Sequence, residues 1–280
     1  MDLSKNIIRN YVKTALLEDA AFHDATTQFL IPANQTCEAV IIAKEDAVLC
    51  GLNIAKAVFK MLDKNCSVSS KCKDGDKIKK KSVVLRIKGK TRAILSGERV
   101  ALNFLGHLSG VAAKTNFFIS QIKPFRVKIM DTRKTIPGLR VLEKYAVFCG
   151  GGKNHRLSLK NEIFIKDNHK IALNKIPLQK LIEKAKKANK YVIAEVENIK
   201  EAQAVIKAKP DVLLLDNMNP DQIKKAVQYI RAHQNIRTEA SGSINLNNIR
   251  RVAQTGVERI SIGALTHSAP SIDFSLELKS

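Results

Sequence analysis

The chain has 280 residues, 45% of them hydrophobic and 26% charged. That balance permits a large core in about two domains and excludes disordered, collagen-like and disulfide-scaffold classes. Its unusual feature is a formal net charge of +22, from 48 Lys and Arg against 26 Asp and Glu, which bears on partners and solubility and not on fold. Nucleic acid, an anionic membrane, a small polyanion or a solvated lysine-rich surface would each account for it.

No apolar run approaches the ~18–20 residues of a spanning helix. Asp2, Lys5, Arg9 and Lys13 interrupt the N-terminal apolar residues that a signal peptide would hold in one block. The five cysteines (Cys37, Cys50, Cys66, Cys72 and Cys149) are odd in number and form no C-x-x-C pair, which reads as reduced thiols in a cytoplasmic protein. Cys149, beside a glycine run, reads as a packing residue. Aromatics make up 5% of the chain with no Trp, leaving few rings on which single strands could stack. The basic run at 77–81 holds none of them, so neither nucleic acid nor membrane is expected as a partner.

In chain order, Ile8, Tyr11, Val12, Ala15 and Leu16 predict a helix over 7–17. A loop is expected through Asp24-Ala25-Thr26-Thr27. Strand-like runs follow at 39–43, 47–50, 68–70 and 83–87, with a helix over 52–62 between them. Asp74-Gly75-Asp76 and Lys88-Gly89-Lys90 are turn signals. A long helical pattern covers 91–122, in which Gly106 and Gly110, four apart, would let another helix come close. After Pro124 the texture changes to six short aliphatic runs, at 127–130, 163–165, 191–196, 212–215, 237–240 and 259–262, most of them followed by helical segments. Near-continuous apolar strands alternating with helices imply a parallel sheet covered on both faces.

Two architectures fit, a doubly wound sheet and a (β/α) barrel. The strand ends favour the barrel, whose chemistry gathers at the C-terminal mouth, because polar or glycine residues terminate all six runs. Cationic donors are Arg133, Lys134, Arg140, Lys153, His155, Arg156 and Lys166. Carboxylates are Glu195, Glu197, Asp216 and Glu239, with Ser241-Gly242 and Gly263 offering backbone N–H groups. Arg forks and Lys point charges suit carboxylates and phosphates, and carboxylates suit sugar hydroxyls or a Mg²⁺ that carries phosphate. Glu195 and Glu197 would face the same side of one strand, where pairing with Lys166 or Arg156 is the simpler reading. Gly150-Gly151-Gly152 lacks the G-K-[ST] of a phosphate loop. With no H-x-x-x-H pair, no Cys cluster and no G-x-S-x-G elbow, neither a zinc site nor an acyl hydrolase is expected.

Around Asp131-Thr132-Arg133-Lys134-Thr135-Ile136-Pro137-Gly138-Leu139-Arg140 the sequence resembles the quinolinate phosphoribosyltransferases, the decarboxylating nicotinate-nucleotide pyrophosphorylases of NAD synthesis. The likeness continues through Glu143-Lys144-Tyr145-Ala146-Val147, Asn154-His155-Arg156, Ile165-Lys166-Asp167-Asn168-His169 and Glu195-Val196-Glu197. It holds again at Leu215-Asp216-Asn217-Met218, Glu239-Ala240-Ser241-Gly242 and Gly263-Ala264-Leu265-Thr266-His267-Ser268. A related group tied to molybdenum transport shares the barrel without the full Lys166–His169 block. Ser158, Asn161, Ser243 and His23 depart from the usual Gly, Asp, Gly and Gly.

The resemblance implies an α/β fold, with an N-terminal α/β sandwich domain over 1–112 and an incomplete (β/α) barrel over 113–280. The extreme C-terminus is a candidate to pack back on the first domain. It also implies a head-to-tail homodimer with composite sites, open to higher assembly. Arg99 would reach into the partner's site. Arg133, His155, Arg156 and Lys166 would grip the two quinolinate carboxylates, next to Thr132. Lys134 and His267 lie on the phosphate side, and Glu195 and Asp216 serve ribose hydroxyls and Mg²⁺-pyrophosphate. Ser241, Gly242, Ser243, Gly263 and Ala264 would cradle the sugar phosphate. Lys134, Lys166, Glu195 and Asp216 form the implied catalytic set. The implied reaction turns quinolinate and phosphoribosyl pyrophosphate into nicotinate mononucleotide, pyrophosphate and CO₂. A paralogous phosphoribosyltransferase acting on another base is the alternative, and a basic nucleic-acid binder is a more distant one.

Overall fold

The computed structural model describes residues 2–173 and 176–279. Its strands in chain order are β1 (Thr36–Ala43), β2 (Ala47–Val48), β3 (Ser67–Ser69), β4 (Lys77–Ile78), β5 (Val83–Lys90) and β6 (Lys128–Met130). There follow β7 (Ile163–Ile165), β8 (Val192–Val196), β9 (Val212–Asp216), β10 (Arg237–Ser241), β11 (Arg259–Ser261) and β12 (Phe274–Leu278). The chain forms two compact units. The first comprises Met1–Asn116, Val141–Gly151 and Ser268–Ser280; the second comprises Phe117–Arg140 and Gly152–His267. The helix Thr91–Gln121 runs from one unit into the other.

In the first unit an antiparallel sheet has the order β12-β1-β5-β3. Ile41 of β1 faces Leu85 of β5 on one side and Leu276 of β12 on the other, so the C-terminal strand closes the sheet begun by β1. The helix Lys5–Glu18 starts where Ser4 Oγ accepts the Ile7 N–H at 3.3 Å, and it buries Ile8, Val12 and Leu16. That four-residue spacing puts all three on one face. The segment expected as a loop at Asp24–Thr27 instead begins the helix Ala25–Leu30. Asp24 caps it, accepting the Thr27 N–H at 3.0 Å and the Ser96 hydroxyl at 2.9 Å. These bonds hold the Asp24 carboxyl below the usual carboxylate range. The helix is too short for apolar periodicity to reveal it, and only the cap marks its start.

In the second unit all six strands are parallel, in the order β6-β11-β10-β9-β8-β7. Sequence neighbours from β7 to β11 are also spatial neighbours, and β6 pairs with β11. A doubly wound sheet would reverse direction partway, which this order does not do. The ring stays open between β6 and β7, where Lys153 makes a single parallel bridge to Met130. This is an incomplete (β/α) barrel. Every residue of β8 is buried, and Ile193, Val212 and Leu214 pack with Phe164 and Tyr191. Burial on both faces explains why β8 and β9 read as near-continuous apolar runs, broken only by Glu195 and by the terminal Asp216.

Gly106 and Gly110 do admit a close neighbour, but it is not a helix. The extended C-terminal segment lies there: a Cβ at Gly106 would stand 2.8 Å from the Ile272 carbonyl oxygen, and one at Gly110 would collide with that of Pro270. Ile272 N–H also donates to Gly106 O at 3.1 Å. In an ordinary helix interior Gly→Ala gains ~1 kcal/mol. Here the collision with backbone reverses the sign, and Gly110→Ala is expected to cost ~1–3 kcal/mol. At Gly97 the new methyl would meet the flexible end of Leu62 at 2.9 Å, so Gly97→Ala should cost less. Urea midpoints of the two variants test this, and a raised midpoint for Gly110→Ala would contradict it.

Candidate active site

The C-terminal ends of the parallel strands line a cleft of about 550 Å³ within the second unit. Beyond β6, Asp131 is fully buried. Its carboxylate accepts Asn154 Nδ2–H and His155 N–H, both at 2.7 Å. Asp131 thus fixes the loop that carries His155 and Arg156. Thr132 turns the chain, its Oγ1 accepting the Lys134 N–H at 3.0 Å. The Lys134 carbonyl accepts the Thr266 hydroxyl at 2.6 Å, which ties the β6 loop to the loop after β11.

Phe164, at the centre of β7, organises one wall. The His155 ring stacks on it, with centroids 5.6 Å apart and planes 12° from parallel. The Arg156 guanidinium carbon and Lys166 Nζ lie 5.1 Å and 4.8 Å from the Phe164 ring centre. Arg156 also donates to the Glu162 carbonyl at 3.0 Å. Burial, with the like charge of Arg133 second, holds the Arg156 guanidinium below its usual value. Arg133 Nε–H is buried without a hydrogen-bond acceptor among the described residues. A buried donor of that kind is costly unless something else accepts from it. The cations on this wall are therefore only partly compensated by the protein, and an anion entering the cleft would complete them.

His155 Nδ1 accepts the Arg156 N–H at 3.1 Å, so in the neutral ring the proton sits on Nε2. Nε2 lies 3.3 Å from Glu239 Oε1, and Arg259 approaches the same carboxylate at 3.8 Å. Glu239 is fully buried, and neither of its carboxylate oxygens makes a hydrogen bond among the described residues.

The next two strand ends carry carboxylates, and Glu195 Oε1 accepts the Asp167 N–H at 3.4 Å. Glu195 is buried, and Asp216 ends β9 on the neighbouring strand. Burial first, and the charge of Asp216 second, push the Glu195 carboxyl above its usual range. The two expected partners on β8 part company. The strand ends at Val196, and Glu197, exposed, pairs with Lys170 at 3.4 Å and is not part of the cleft lining. Equal facing needs a continuing strand, and the chain turns before Glu197 can follow.

Beyond β9 and β10 the backbone is tightly fitted. A side chain on Gly242, at φ +88°, would overlap the Asn217 amide, and Asn217 N–H donates to Ser241 O at 3.0 Å. Ser243 is also left-handed, at φ +51°, which gives a physical reason why glycine is usual there. A Cβ at Gly263 would stand 2.9 Å from Lys134 Cδ and 3.2 Å from His267 Nε2, so the glycine leaves those two side chains their place.

The cleft is lined by Thr132, Arg133, Lys134, His155, Arg156, Lys166, Glu195 and Asp216, and by Ser241, Gly242, Ser243, Gly263, Ala264 and His267. It does not include Arg99, which is exposed on the helix Thr91–Gln121 in the first unit. Arg140 is engaged instead with Thr135 Oγ1 at 3.1 Å. The sequence reading missed Phe164, since one aromatic in a three-residue apolar strand carries no mark of a binding wall. The Ser158 and Asn161 departures compensate one another: Ser158 N–H and Oγ–H both donate to Asn161 Oδ1, at 2.9 and 2.7 Å.

The carboxylate pair yields a titration test. Glu195 should lose its proton at a higher pH than an ordinary Glu, and Asp216→Asn should lower that pH by removing the neighbouring charge. Side-chain ¹³C NMR can follow it. An unchanged Glu195 titration in the variant would show that the two carboxylates do not interact.

Residues 111–277 match the family model described as quinolinate phosphoribosyl transferase, C-terminal domain, and residues 24–109 match the corresponding N-terminal domain. A probable nicotinate-nucleotide pyrophosphorylase (carboxylating) of Bacillus subtilis is 41% identical, over 94% of this chain and 90% of that protein. The quinolinate phosphoribosyltransferase (decarboxylating) 1b of Nicotiana tabacum is 35% identical, over 97% of this chain and 82% of that one. The crystal structure of NadC from Streptococcus pyogenes superposes with a TM-score of 0.94 at 39% identity, covering 100% of this chain and 99% of that one. The chain belongs to the quinolinate phosphoribosyltransferase family.

Proposed function

We propose that this protein transfers the phosphoribosyl group of phosphoribosyl pyrophosphate to quinolinate and releases pyrophosphate and CO₂, giving nicotinate mononucleotide. The observation that carries this reading is the joint presence of a cation group and a carboxylate pair in one cleft. Arg133, Arg156, Lys166 and His155 line it together with Glu195 and Asp216. Quinolinate brings two adjacent carboxylates, which suit two guanidiniums and an ammonium. An electron-deficient ribosyl centre suits the carboxylate pair.

In this reading Arg133 and Arg156 bind and orient the pyridine ring so that its nitrogen faces the anomeric carbon. Holding both reactants in line can save ~7–11 kcal/mol of barrier. Lys134 and His267 hold the phosphate end, together with the backbone N–H groups of Gly242, Ser243, Gly263 and Ala264. As the C–O bond to pyrophosphate breaks and the C–N bond forms, Glu195 and Asp216 face the developing positive charge. N-ribosylation leaves the ring cationic, and the electron pair of the departing carboxylate flows into it. CO₂ leaves and a proton takes its place on the ring. The cations that hold the carboxylate oppose its departure, so the ring cation must outweigh them.

Glu195 and Asp216 offer hard oxygen donors on adjacent strands, and neither forms an ion pair within 4.0 Å among the described residues; such a set fits Mg²⁺ held jointly with substrate phosphates. When bound, Mg²⁺ supplies charge neutralisation to the leaving pyrophosphate. The homodimer belongs to the same proposal. Arg99, exposed on the first unit and outside the cleft lining of its own chain, would complete a partner's site. The cytoplasm is the proposed compartment; the five unpaired cysteines fit a reducing environment. No helix among the described residues is long and apolar enough to cross a membrane.

Arg133→Ala or Arg156→Ala should lower kcat/KM for quinolinate by at least tenfold, the scale of a lost charge-assisted hydrogen bond. Steady-state kinetics checks this once circular dichroism shows the variants folded. An unchanged specificity constant would remove both residues from the carboxylate site. Mixing Arg99→Ala with Lys166→Ala chains should restore activity, because one composite site in the mixed dimer remains intact. A mixture as inactive as either variant alone would contradict the shared site.

A further inference from the structure

The absence of a cysteine cluster in the sequence does not survive folding. Cys50 and Cys149 are far apart in the chain, yet both stand in the first unit beside Asp74. One ligand atom from each of the three lies within 4.8 Å of the others. We propose that Cys50, Asp74 and Cys149 form a binding site for a soft or borderline divalent cation of the zinc class, independent of the transferase cleft.

The chemistry of the donors points to this class. Cysteine sulfur and carboxylate oxygen are both zinc donors, with metal–sulfur bonds of ~2.3 Å and metal–oxygen bonds of ~2.0–2.2 Å. Tetrahedral angles with such bonds put ligand atoms ~3.5–3.8 Å apart. The ligand atoms now lie within 4.8 Å of one another, so binding would draw them in by about 1 Å to reach that spacing. Hard cations such as Mg²⁺ or Ca²⁺ prefer all-oxygen sets and are not expected here.

The three groups are also held in place. Cys50 is fully buried. Its N–H donates to Ser109 Oγ at 3.0 Å, and that hydroxyl donates back to the Cys50 carbonyl at 3.2 Å. Asp74 Oδ1 accepts the Leu52 N–H at 3.0 Å, and Oδ2 accepts the Tyr145 hydroxyl at 2.8 Å. A ligand carboxylate oriented by such neighbours is what tuned metal sites use. The turn through Gly75, at φ +93°, passes so near the end of the helix Arg140–Cys149 that a Cβ there would lie 3.4 Å from Cys149 O. Pairing of β2 with β4 holds the Cys50 and Asp74 segments side by side, and Gly75 N–H donates to Leu49 O at 2.8 Å. Among the described residues no Lys, Arg or His forms an ion pair with Asp74 within 4.0 Å. A cavity of about 790 Å³ in the same unit is lined by Asp74 and Tyr145 but by neither cysteine, so an ion would enter from the Asp74 side. Three protein ligands leave one tetrahedral position for water.

Cobalt(II) titration of the metal-free, reduced chain tests the site. The expected result is one equivalent of Co²⁺ bound with a sulfur-to-cobalt charge-transfer band, displaced by one equivalent of Zn²⁺. Cys149→Ser, at a half-buried position, should abolish the band, and Asp74→Asn should weaken binding at least tenfold. Cys72→Ser should leave it unchanged. As a check that needs no variant, Zn²⁺ should protect Cys149 of the native chain from alkylation, read by peptide mass spectrometry. Absence of a thiolate band, its persistence in Cys149→Ser, or a Cys50–Cys149 disulfide in place of metal would overturn the proposal. None of these readouts depends on phosphoribosyl transfer.

Discussion

The cleft depends on holding like charges together without neutralising them. Arg156 and Lys166 approach the ring of Phe164 at about 5 Å, where the negative face of the ring attracts a cation. A carboxylate in that position would attract them more strongly, but it would also occupy the donors that an incoming anion needs. The ring stabilises the cations without itself occupying their N–H groups, of which one on Arg156 donates to the Glu162 carbonyl. His155 shares the platform by stacking, so one side chain sets the positions of three. Acidic residues lie close by without forming a salt bridge to Arg156 or Lys166 within 4.0 Å among the described residues. Asp131 and Glu239 are fully buried, and Asp131 fixes the loop that carries His155, while Glu195 and Asp216 line the same cleft from the adjacent strands β8 and β9.

This arrangement explains why the barrel is open and yet precise at its mouth. Side chains from successive strand ends converge only if each strand keeps its register, and burial of both faces of β8 enforces that. The loops are then pinned to each other by single contacts, Lys134 O to Thr266, Asn217 N to Ser241 O and Asp131 to the Asn154–His155 backbone. Glycines stand where a side chain would overlap one of these contacts, at Gly242 and Gly263.

Much of this was legible in the sequence because strand ends are marked by composition. Apolar runs that stop at Asp131, Lys166, Glu195, Asp216 and Ser241 announce both the barrel and its mouth. What was not legible depends on tertiary distance or on a single rotamer. Phe164 looks like any core aromatic until its ring is seen against two cations and a stacked imidazole. Glu195 and Glu197 share a side only while the strand lasts. Gly106 and Gly110 signal a close approach without saying by what, and the partner is the chain's own C-terminal segment. Cys50 and Cys149 carry no local motif, so only folding brings them beside Asp74. Ser158 and Asn161 break the family pattern separately and repair it together.

The charge of +22 divides along the same line. A small group of cations is organised around the cleft, and a run such as residues 77–81 has no such organisation. The account rests on that group recognising two neighbouring carboxylates and releasing one of them. Incubating the protein with phosphoribosyl pyrophosphate, Mg²⁺ and quinolinate labelled in the 2-carboxylate should release labelled CO₂ in step with nicotinate mononucleotide, with nicotinate failing to substitute. Release of no label, or nucleotide formed equally well from nicotinate, would contradict it.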